Sequence, residues 1–236
     1  GLVVEVGDKV STVKVGDRVA RWAMPPHVKP LRQGAAGKTA SYVQYYTTHE
    51  RDVLSFPEGT LSWQEMAMLN MLACVAQAVA KVGEVQWDRV AVTGLGPAGL
   101  MALQALKSRG PDEITAIDVD PSRCELAESL GADRSVRPGT KEWDALNPDE
   151  FSVVVDCSGV PAAIEGVLEK TKGRLIIFSV PEGPFNISMT NRSKGNTIQY
   201  SGTPEGRPGP YARELLLSGV VKVGSMLTHE LPIEEF

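Results

Sequence analysis

Short apolar runs alternate with helix-forming segments through the middle of the chain. The runs at residues 90–93 and 114–118 are rich in β-branched residues and predict strands that are buried on both faces. Further strands are predicted at residues 151–156, 173–180 and 198–201, and helices at residues 101–107, 121–130, 161–171 and 211–218. Strands that alternate with helices in this way predict a parallel, doubly wound α/β sheet with right-handed connections.

The first part of the chain has a different, β-rich pattern. We predict strands at residues 2–7 and 41–48, a strand pair around a Gly-Asp turn at residues 13–20, and a loop at residues 24–39. This segment needs a hydrophobic core of its own, so we expect it to form a separate β domain.

A helical region is predicted between the two patterns. Ser62 and Glu65 have the spacing of a capping box, and the helical repeat extends from about residue 64 to residue 82, where Gly83 interrupts it. One face is rich in methionine and is expected to pack in the core; its members are Met66, Met68 and Met71.

A glycine-rich turn joins the strand at residues 90–93 to the next helix, with the spacing G-x-G-x-x-G. Such a turn lets the pyrophosphate of a dinucleotide approach the backbone at the N-terminus of the helix. A proline is tolerated in the first helical turn. The candidate phosphate-binding residues are Gly94, Leu95, Gly96, Pro97, Ala98, Gly99 and Leu100.

An acidic residue ends the next predicted strand. Asp118 stands where a carboxylate accepts hydrogen bonds from the adenosine ribose of a dinucleotide, although it could instead cap the following helix. A carboxylate would repel a 2′-phosphate, so the sequence favours NAD over NADP. Arg123 lies one turn into the next helix, where it could soften that preference, stack on the adenine or remain in solvent.

Composition narrows the class of protein. The chain has 236 residues with a formal net charge of −5, which argues against nucleic acid or an anionic membrane as the main partner. No apolar run is long enough for a membrane span. The three cysteines form no C-x-x-C pair, so a reducing, cytoplasmic location is expected. The absence of an initial methionine suggests a fragment.

An ordered series of short motifs resembles the medium-chain dehydrogenase/reductases, the zinc alcohol dehydrogenase superfamily. The resemblance runs over nearly the whole chain, and it is more specific than the glycine motif alone. Its motifs are GLVVEVG at residues 1–7, VGDRV at 15–19, LSFPEG at 54–59, GLGPAGL at 94–100, LGAD at 130–133, DCSG at 156–159, LLLSG at 215–219 and LTH at 227–229.

The resemblance implies two domains with a substrate cleft between them. A GroES-like β domain would comprise residues 1–69, a Rossmann domain residues 70–202, and residues 203–236 would return to the first domain. The nicotinamide would be presented from the carboxyl ends of the strands. Residues there are candidates for its binding, or ordinary strand-end turn residues; they are Cys157, Ser158, Ser179 and Val180.

The zinc sites of the resembled family do not match the residues present. Asn70 occupies the position of a Glu in the third ligand region of polyol-type members, and an amide is a poor zinc ligand. Cys74 would need a shifted helix register, so a buried free thiol is favoured. His27, His49 and His229 have no partners at metal-ligand spacing. We therefore expect no metal ligands among these residues, and no catalytic residue can be assigned.

Three functions remain open at this stage. The favoured one is hydride transfer between NAD and a secondary alcohol of the polyol, cyclitol or amino-alcohol type, with a small alcohol or carbonyl compound as substrate. The alternatives are a zinc-independent NADPH enone or quinone reductase and a non-catalytic NAD-binding protein. The resemblance also implies a homodimer or homotetramer, in which the edge strand near residues 197–201 pairs across a twofold axis.

Overall fold

A computed structural model of the chain describes residues 1–22, 29–30, 44–202, 208–232 and 235. The strands in these ranges are β1 (Arg18–Arg21), β2 (Lys29–Pro30), β3 (Tyr46–Thr47), β4 (Val53–Phe56), β5 (Arg89–Thr93), β6 (Glu113–Ile117), β7 (Arg134–Val136), β8 (Phe151–Asp156), β9 (Thr171–Ile177) and β10 (Thr197–Tyr200). The helices are α1 (Trp63–Ala67), α2 (Leu69–Val82), α3 (Pro97–Lys107), α4 (Pro121–Ser129), α5 (Lys141–Asp144), α6 (Pro161–Glu169), α7 (Met189–Ser193) and α8 (Pro208–Leu217).

The central feature is a parallel sheet of six strands in the order β10-β9-β8-β5-β6-β7. Numbered from β5, this is the Rossmann strand order 3-2-1-4-5-6, which reverses between β5 and β8. Ligands of open α/β sheets bind outside the carboxyl ends of the strands at such a reversal. The prediction of a doubly wound α/β fold is confirmed.

Alternate residues along the strands of the sheet pack into two hydrophobic cores, one on each face. Val90 and Val92 of β5 pack into the core that also contains much of α2, α3 and α8. Ala91, which lies between them, belongs to the other core with Ile164 and Leu168 of α6. Successive strand residues point to opposite faces, so helices on both faces are needed to cover strands this apolar.

The N-terminal part contains fewer strand residues than predicted. β1 pairs with β4 in antiparallel register, and β2 pairs with β3. The predicted strand at residues 2–7 is wrong, because only Leu2 forms a bridge, to Arg18. Of the predicted pair at residues 13–20, only residues 18–20 are extended in β1, and a turn at Gly16 (φ +91°) precedes them. Residues 41–43 of the predicted strand at 41–48 lie outside the described residues.

The helical region after β4 begins as predicted but consists of two helices. The Ser62 side chain accepts a hydrogen bond from the Glu65 N–H, and the Glu65 carboxylate accepts one from the Ser62 N–H, so the capping box is confirmed. α1 ends at Ala67 and α2 begins at Leu69, with Met68 between the two helices. Met66 is buried, but Met71 is 40% exposed, because the buried stripe of α2 passes through other residues. The expectation of a continuous buried methionine face was therefore wrong at Met71.

Three predicted boundaries around β9 were shifted, one of which is its start, at Thr171 rather than residue 173. α6 ends at Glu169 rather than residue 171, since Thr171 already pairs with Phe151 of β8. β9 ends at Ile177 rather than residue 180, because the Phe178 and Ser179 N–H groups both turn to the Asp156 carbonyl oxygen at 2.9 and 3.2 Å. The turn moves Ser179 and Val180 out of the strand.

A junction of three distant segments forms around Trp22, which follows β1. Its indole N–H donates to the Arg51 carbonyl oxygen at 3.0 Å, and its own carbonyl oxygen accepts from the Asn70 side chain of α2 at 3.0 Å. Gly209 of α8 packs directly on the indole: a Cβ added there would lie 2.2 Å from the Trp22 ring. The junction therefore joins β1 to three other segments: the one just before β4, α2 and α8.

A buried carboxylate stands just before β8, at the edge of the sheet opposite the carboxyl ends of the strands. Glu150 is 6% exposed and accepts from Arg134 at 2.7 Å and from the Asn147 side chain at 2.9 Å. Burial raises the pKa of Glu150, but these hydrogen bonds outweigh it, so the pKa lies below its ordinary value. The interaction therefore stabilises the fold at neutral pH, and this contribution is lost as the pH falls through the lowered pKa.

Candidate cofactor-binding site

The glycine turn lies at the reversal point of the sheet, between the end of β5 and the start of α3. Gly94 has a φ of +83°, and a Cβ added there would lie 2.6 Å from the Ser158 backbone. Gly94 therefore allows both the left-handed turn and the close approach of the loop that follows β8. The Gly94 N–H donates to the Ile117 carbonyl oxygen at 2.8 Å, which attaches the turn to β6.

The other two glycines of the motif have different surroundings. A Cβ at Gly99 would lie 1.9 Å from the Gly94 carbonyl oxygen, so only glycine allows α3 to pack this closely on the turn. Gly96 is the N-cap of α3 in extended conformation, and a Cβ added there meets nothing within 4 Å. Among the described residues, the space in front of the helix N-terminus is open at Gly96, and a pyrophosphate would need such a space, or cradle, to approach the backbone. The remaining residues of the motif are Leu95, Pro97, Ala98 and Leu100, of which Pro97 begins α3.

Asp118 follows β6 and is in direct contact with the glycine turn. One carboxylate oxygen accepts from the Leu95 N–H at 2.7 Å, and the other accepts from the Asp120 N–H at 3.0 Å. The side chain is 6% exposed, and Arg123 approaches it at 3.7 Å. Arg123 is itself 54% exposed and also reaches Asp120 at 3.8 Å. The N-cap of α4 is Asp120, so the alternative in which Asp118 caps this helix is wrong.

The loops after β8 and β9 lie beside the turn, as expected from the sheet order. Ser158 packs against Gly94, and the Cys157 N–H donates to the Thr93 carbonyl oxygen of β5 at 2.8 Å. Val180 is 88% exposed in the loop after β9. The structure thus brings the glycine turn, Asp118 and the two strand-end loops to one edge of the sheet.

Cys157 is unsuited to nucleophilic chemistry despite its position. Burial, together with the negative charge of Asp156, raises the pKa of the Cys157 thiol far above its ordinary value. Since the thiolate is the reactive form, the side chain remains a neutral thiol at physiological pH.

Sequence reasoning missed Asp156 and two apolar residues at this edge. Asp156 is fully buried at the end of β8, while Val119 and Val160 are 73% and 44% exposed just after the ends of β6 and β8. The signal for Asp156 was an acid at the end of an otherwise apolar strand, the same pattern that identified Asp118. The valines expose apolar surface at the carboxyl edge of the sheet.

The candidate metal residues are separate from one another. The described ranges contain no group of three His, Cys, Asp or Glu side chains that could hold a metal ion. The Asn70 amide donates to the Trp22 carbonyl oxygen, and Cys74 is a half-buried free thiol whose pKa is raised by burial. His49 accepts from the Arg51 N–H at 3.2 Å, and the His229 ring lies 2.9 Å from the Thr228 hydroxyl. His27 lies outside the described residues.

Replacement of Asn70 by alanine should leave metal content unchanged and lower stability by about 1 kcal/mol, because it removes the hydrogen bond to Trp22. Elemental analysis and urea unfolding of the purified protein measure the two effects. Cys74→Ala, one turn further along α2, is the matched variant and should also keep its metal content. Loss of a bound metal in either variant would identify that residue as a ligand.

Comparison with known proteins identifies relatives over the whole chain. A family model described as zinc-binding dehydrogenase matches residues 97–216. The chain is 30% identical over 262 aligned residues to an L-threonine 3-dehydrogenase of Bacillus velezensis, an alignment that covers 100% of this chain and 74% of that protein. It is 27% identical over 266 residues to a sorbitol dehydrogenase of Bacillus subtilis, with 100% and 72% covered.

A solved structure shares the fold. The crystal structure of a zinc-binding dehydrogenase from Sinorhizobium meliloti 1021 bound to NADP has a TM-score of 0.78 at 21% identity, covering 96% of this chain and 73% of that one. No helix in the described ranges is long and apolar enough to cross a lipid bilayer.

The sheet order and the glycine turn define the Rossmann class of dinucleotide-binding folds. Within that class, the family match and the alignment along this whole chain are decisive: the chain belongs to the zinc-binding dehydrogenases. The resemblance to the medium-chain dehydrogenase/reductases is therefore confirmed. The protein is an alcohol dehydrogenase-like oxidoreductase that uses a nicotinamide cofactor and a small-molecule substrate.

Proposed function

We propose that the protein transfers hydride between NAD and the secondary alcohol of a polyol, cyclitol or amino alcohol. The observation that carries the choice of cofactor is the buried Asp118 carboxylate beside the glycine turn. The substrate class is supported by the names of two relatives, an L-threonine 3-dehydrogenase and a sorbitol dehydrogenase. The cofactor supplies the redox chemistry, and the protein supplies binding and orientation.

The proposed binding residues lie along the carboxyl edge of the sheet. The open cradle at Gly96 and the N-terminus of α3 would bind the pyrophosphate. Asp118 would accept hydrogen bonds from the adenosine ribose, with Arg123 beside it. The nicotinamide half would lie against the strand-end loops, whose proposed contact residues are Cys157, Ser158, Ser179 and Val180.

Charge at the ribose position favours NAD over NADP. The Asp118 side chain is almost completely buried, so solvent screens its charge poorly against an added 2′-phosphate. Arg123 offsets this charge only in part, because it is half-exposed and is shared with Asp120.

Asp118→Ala should weaken NADH binding by about tenfold or more and narrow the preference over NADPH, since it removes the ribose acceptor and the repelling charge. Titration of both reduced cofactors by fluorescence measures the change. Asp120→Ala is the matched control, because it removes the other carboxylate near Arg123 but not the one beside Leu95. Unchanged selectivity in Asp118→Ala would contradict the assigned role.

We also propose the domain division 1–69, 70–202 and 203–236, with the substrate bound between a GroES-like β domain and the Rossmann domain. The division is supported by the sheet, whose strands all fall between residues 89 and 200.

A homodimer or homotetramer through β10 is proposed because β10 is an edge strand and Tyr200 is 54% exposed. The three free cysteines support a cytoplasmic location.

A second candidate is a non-catalytic NAD-binding protein. It is favoured by Asn70, which stands at the family's third ligand position and donates a hydrogen bond to the Trp22 carbonyl oxygen. Wild-type protein is therefore to be titrated with NADH and NADPH and assayed for turnover with polyols and amino alcohols. NADH preference with turnover supports the proposal. NADH binding without turnover or metal supports the second candidate, and NADPH preference with enone or quinone reduction supports a zinc-independent reductase.

A further inference from the structure

One residue connects both loops at the proposed nicotinamide end of the site. Asp156 is the last residue of β8, and its neighbours in the sheet are Thr93 of β5 and Ile177 of β9. It is 0% exposed, although it carries a carboxyl group. Burial of a carboxylate is costly unless its oxygens receive hydrogen bonds, so the contacts of this group indicate what its burial achieves.

Each carboxylate oxygen of Asp156 accepts hydrogen bonds from a loop at the carboxyl edge. Oδ1 accepts from the Ser158 N–H at 3.1 Å and from the Ser158 hydroxyl at 2.6 Å. Oδ2 accepts from the Gly159 N–H at 3.4 Å and from the Ser179 hydroxyl, which comes from the loop after β9. One buried side chain therefore fixes two loops that are separate in sequence.

The two loops also contact each other, and the loop after β8 contacts the glycine turn. A Cβ added at Gly159 would lie 3.0 Å from the Val180 carbonyl oxygen, and the Glu182 N–H donates to the Gly159 carbonyl oxygen at 2.9 Å. Ser158 packs against Gly94 on the other side. A shift of the Asp156 carboxylate would therefore move the surface formed by both loops.

We propose that Asp156 is a positioning residue for the nicotinamide half of the dinucleotide. Its carboxylate holds the Ser158 and Ser179 loops at the spacing that receives the nicotinamide ring, without touching the ring itself. The inference rests on the proposed function, since it assumes that a nicotinamide dinucleotide occupies the carboxyl edge. We therefore expect a change at Asp156 to weaken binding of the nicotinamide half and to leave binding of the adenosine and pyrophosphate unchanged.

The test compares NADH with ADP-ribose, which has the same adenosine and pyrophosphate but no nicotinamide. In Asp156→Asn an amide N–H₂ replaces one acceptor oxygen and faces the donors of the loops. We expect NADH affinity to fall by about tenfold or more, while ADP-ribose affinity changes by less than about twofold. Calorimetric titration of both ligands gives the ratio of NADH affinity to ADP-ribose affinity. A general loss of stability would lower both affinities and leave this ratio unchanged.

Three further variants separate positioning from folding. Ser179→Ala removes the hydroxyl that donates to Asp156, and it should lower the same ratio by a smaller factor even if Asp156→Asn does not fold. Because Ser179 is also a proposed nicotinamide contact, Ser179→Thr is its control: it keeps the hydroxyl but alters the contact surface, and it should keep the ratio. Glu150→Gln alters a buried carboxylate just before the other end of β8, and it should lower stability but keep the ratio.

The outcomes distinguish this inference from the proposed function. If the wild-type protein binds NADH no better than ADP-ribose, the proposed function fails and the inference fails with it. If the wild-type protein shows the nicotinamide-dependent gain and the folded Asp156→Asn and Ser179→Ala variants keep it, only the role of Asp156 is overturned.

Discussion

Gly96→Val should abolish cofactor binding and leave the fold intact. A Cβ at Gly96 meets no protein atom within 4 Å, and the backbone there is extended, so valine is accommodated without strain. Its methyl groups would instead occupy the cradle at the N-terminus of α3. Because the pyrophosphate must approach the backbone closely, we expect NADH affinity to fall by more than about a hundredfold.

The measurement is NADH titration together with urea unfolding of the same variant. Gly7→Val is the matched control: Gly7 also has open space around its Cβ position, but it lies in the N-terminal segment. The control should bind NADH like the wild-type protein. Retention of affinity in Gly96→Val would show that the cradle does not bind the pyrophosphate.

Gly99→Ala, in contrast, should greatly lower the stability of the fold. The added Cβ would lie 1.9 Å from the Gly94 carbonyl oxygen, and both groups belong to the backbone, so neither can rotate away. Either α3 or the glycine turn must move, and the buried contacts of both are lost. We expect the free energy of unfolding to fall by about 3 kcal/mol or more.

Gly166→Ala is the control for this second variant, because Gly166 also lies inside a helix, α6. Its Cβ would meet the Trp143 side chain at 3.2 Å, and alanine improves helix propensity, so the net change should stay within about 1 kcal/mol. Urea unfolding measures both variants. Equal stabilities for Gly99→Ala and the wild-type protein would contradict the packing described for α3.

Most strands of the central sheet were predictable from the sequence, with β7 the exception. β8 was predicted with its observed ends, and β5, β6 and α4 were predicted to within a residue or two, since long apolar runs and capping residues define them locally. The glycine turn was identifiable from the spacing of its glycines, and the structure shows a steric requirement for glycine at Gly94 and Gly99. Asp118 was identifiable because its position at the end of the neighbouring strand follows from the topology.

The elements and boundaries that were not predicted from the sequence depend on tertiary contacts. Short elements such as β7, α5 and α7 were not predicted, since three to five residues carry too little periodicity. β9 ends early because Asp156 captures the next two N–H groups, and nothing local to residues 178–180 encodes that capture. The N-terminal strand predicted at residues 2–7 was wrong, and the one at 13–20 was correct only for residues 18–20, because a strand forms only where a neighbour supplies the ladder.

The junction at Trp22 has a consequence for the order in which the chain folds. Residues from near the start, the middle and the end of the chain meet there, and the indole has its complete set of contacts only when Gly209 is in place. Contacts between such remote residues require closure of a long loop, which slows folding. During synthesis β1 can pair with β4 and the central sheet can form before α8 emerges from the ribosome, so the face of the Trp22 indole that packs on Gly209 stays exposed until then.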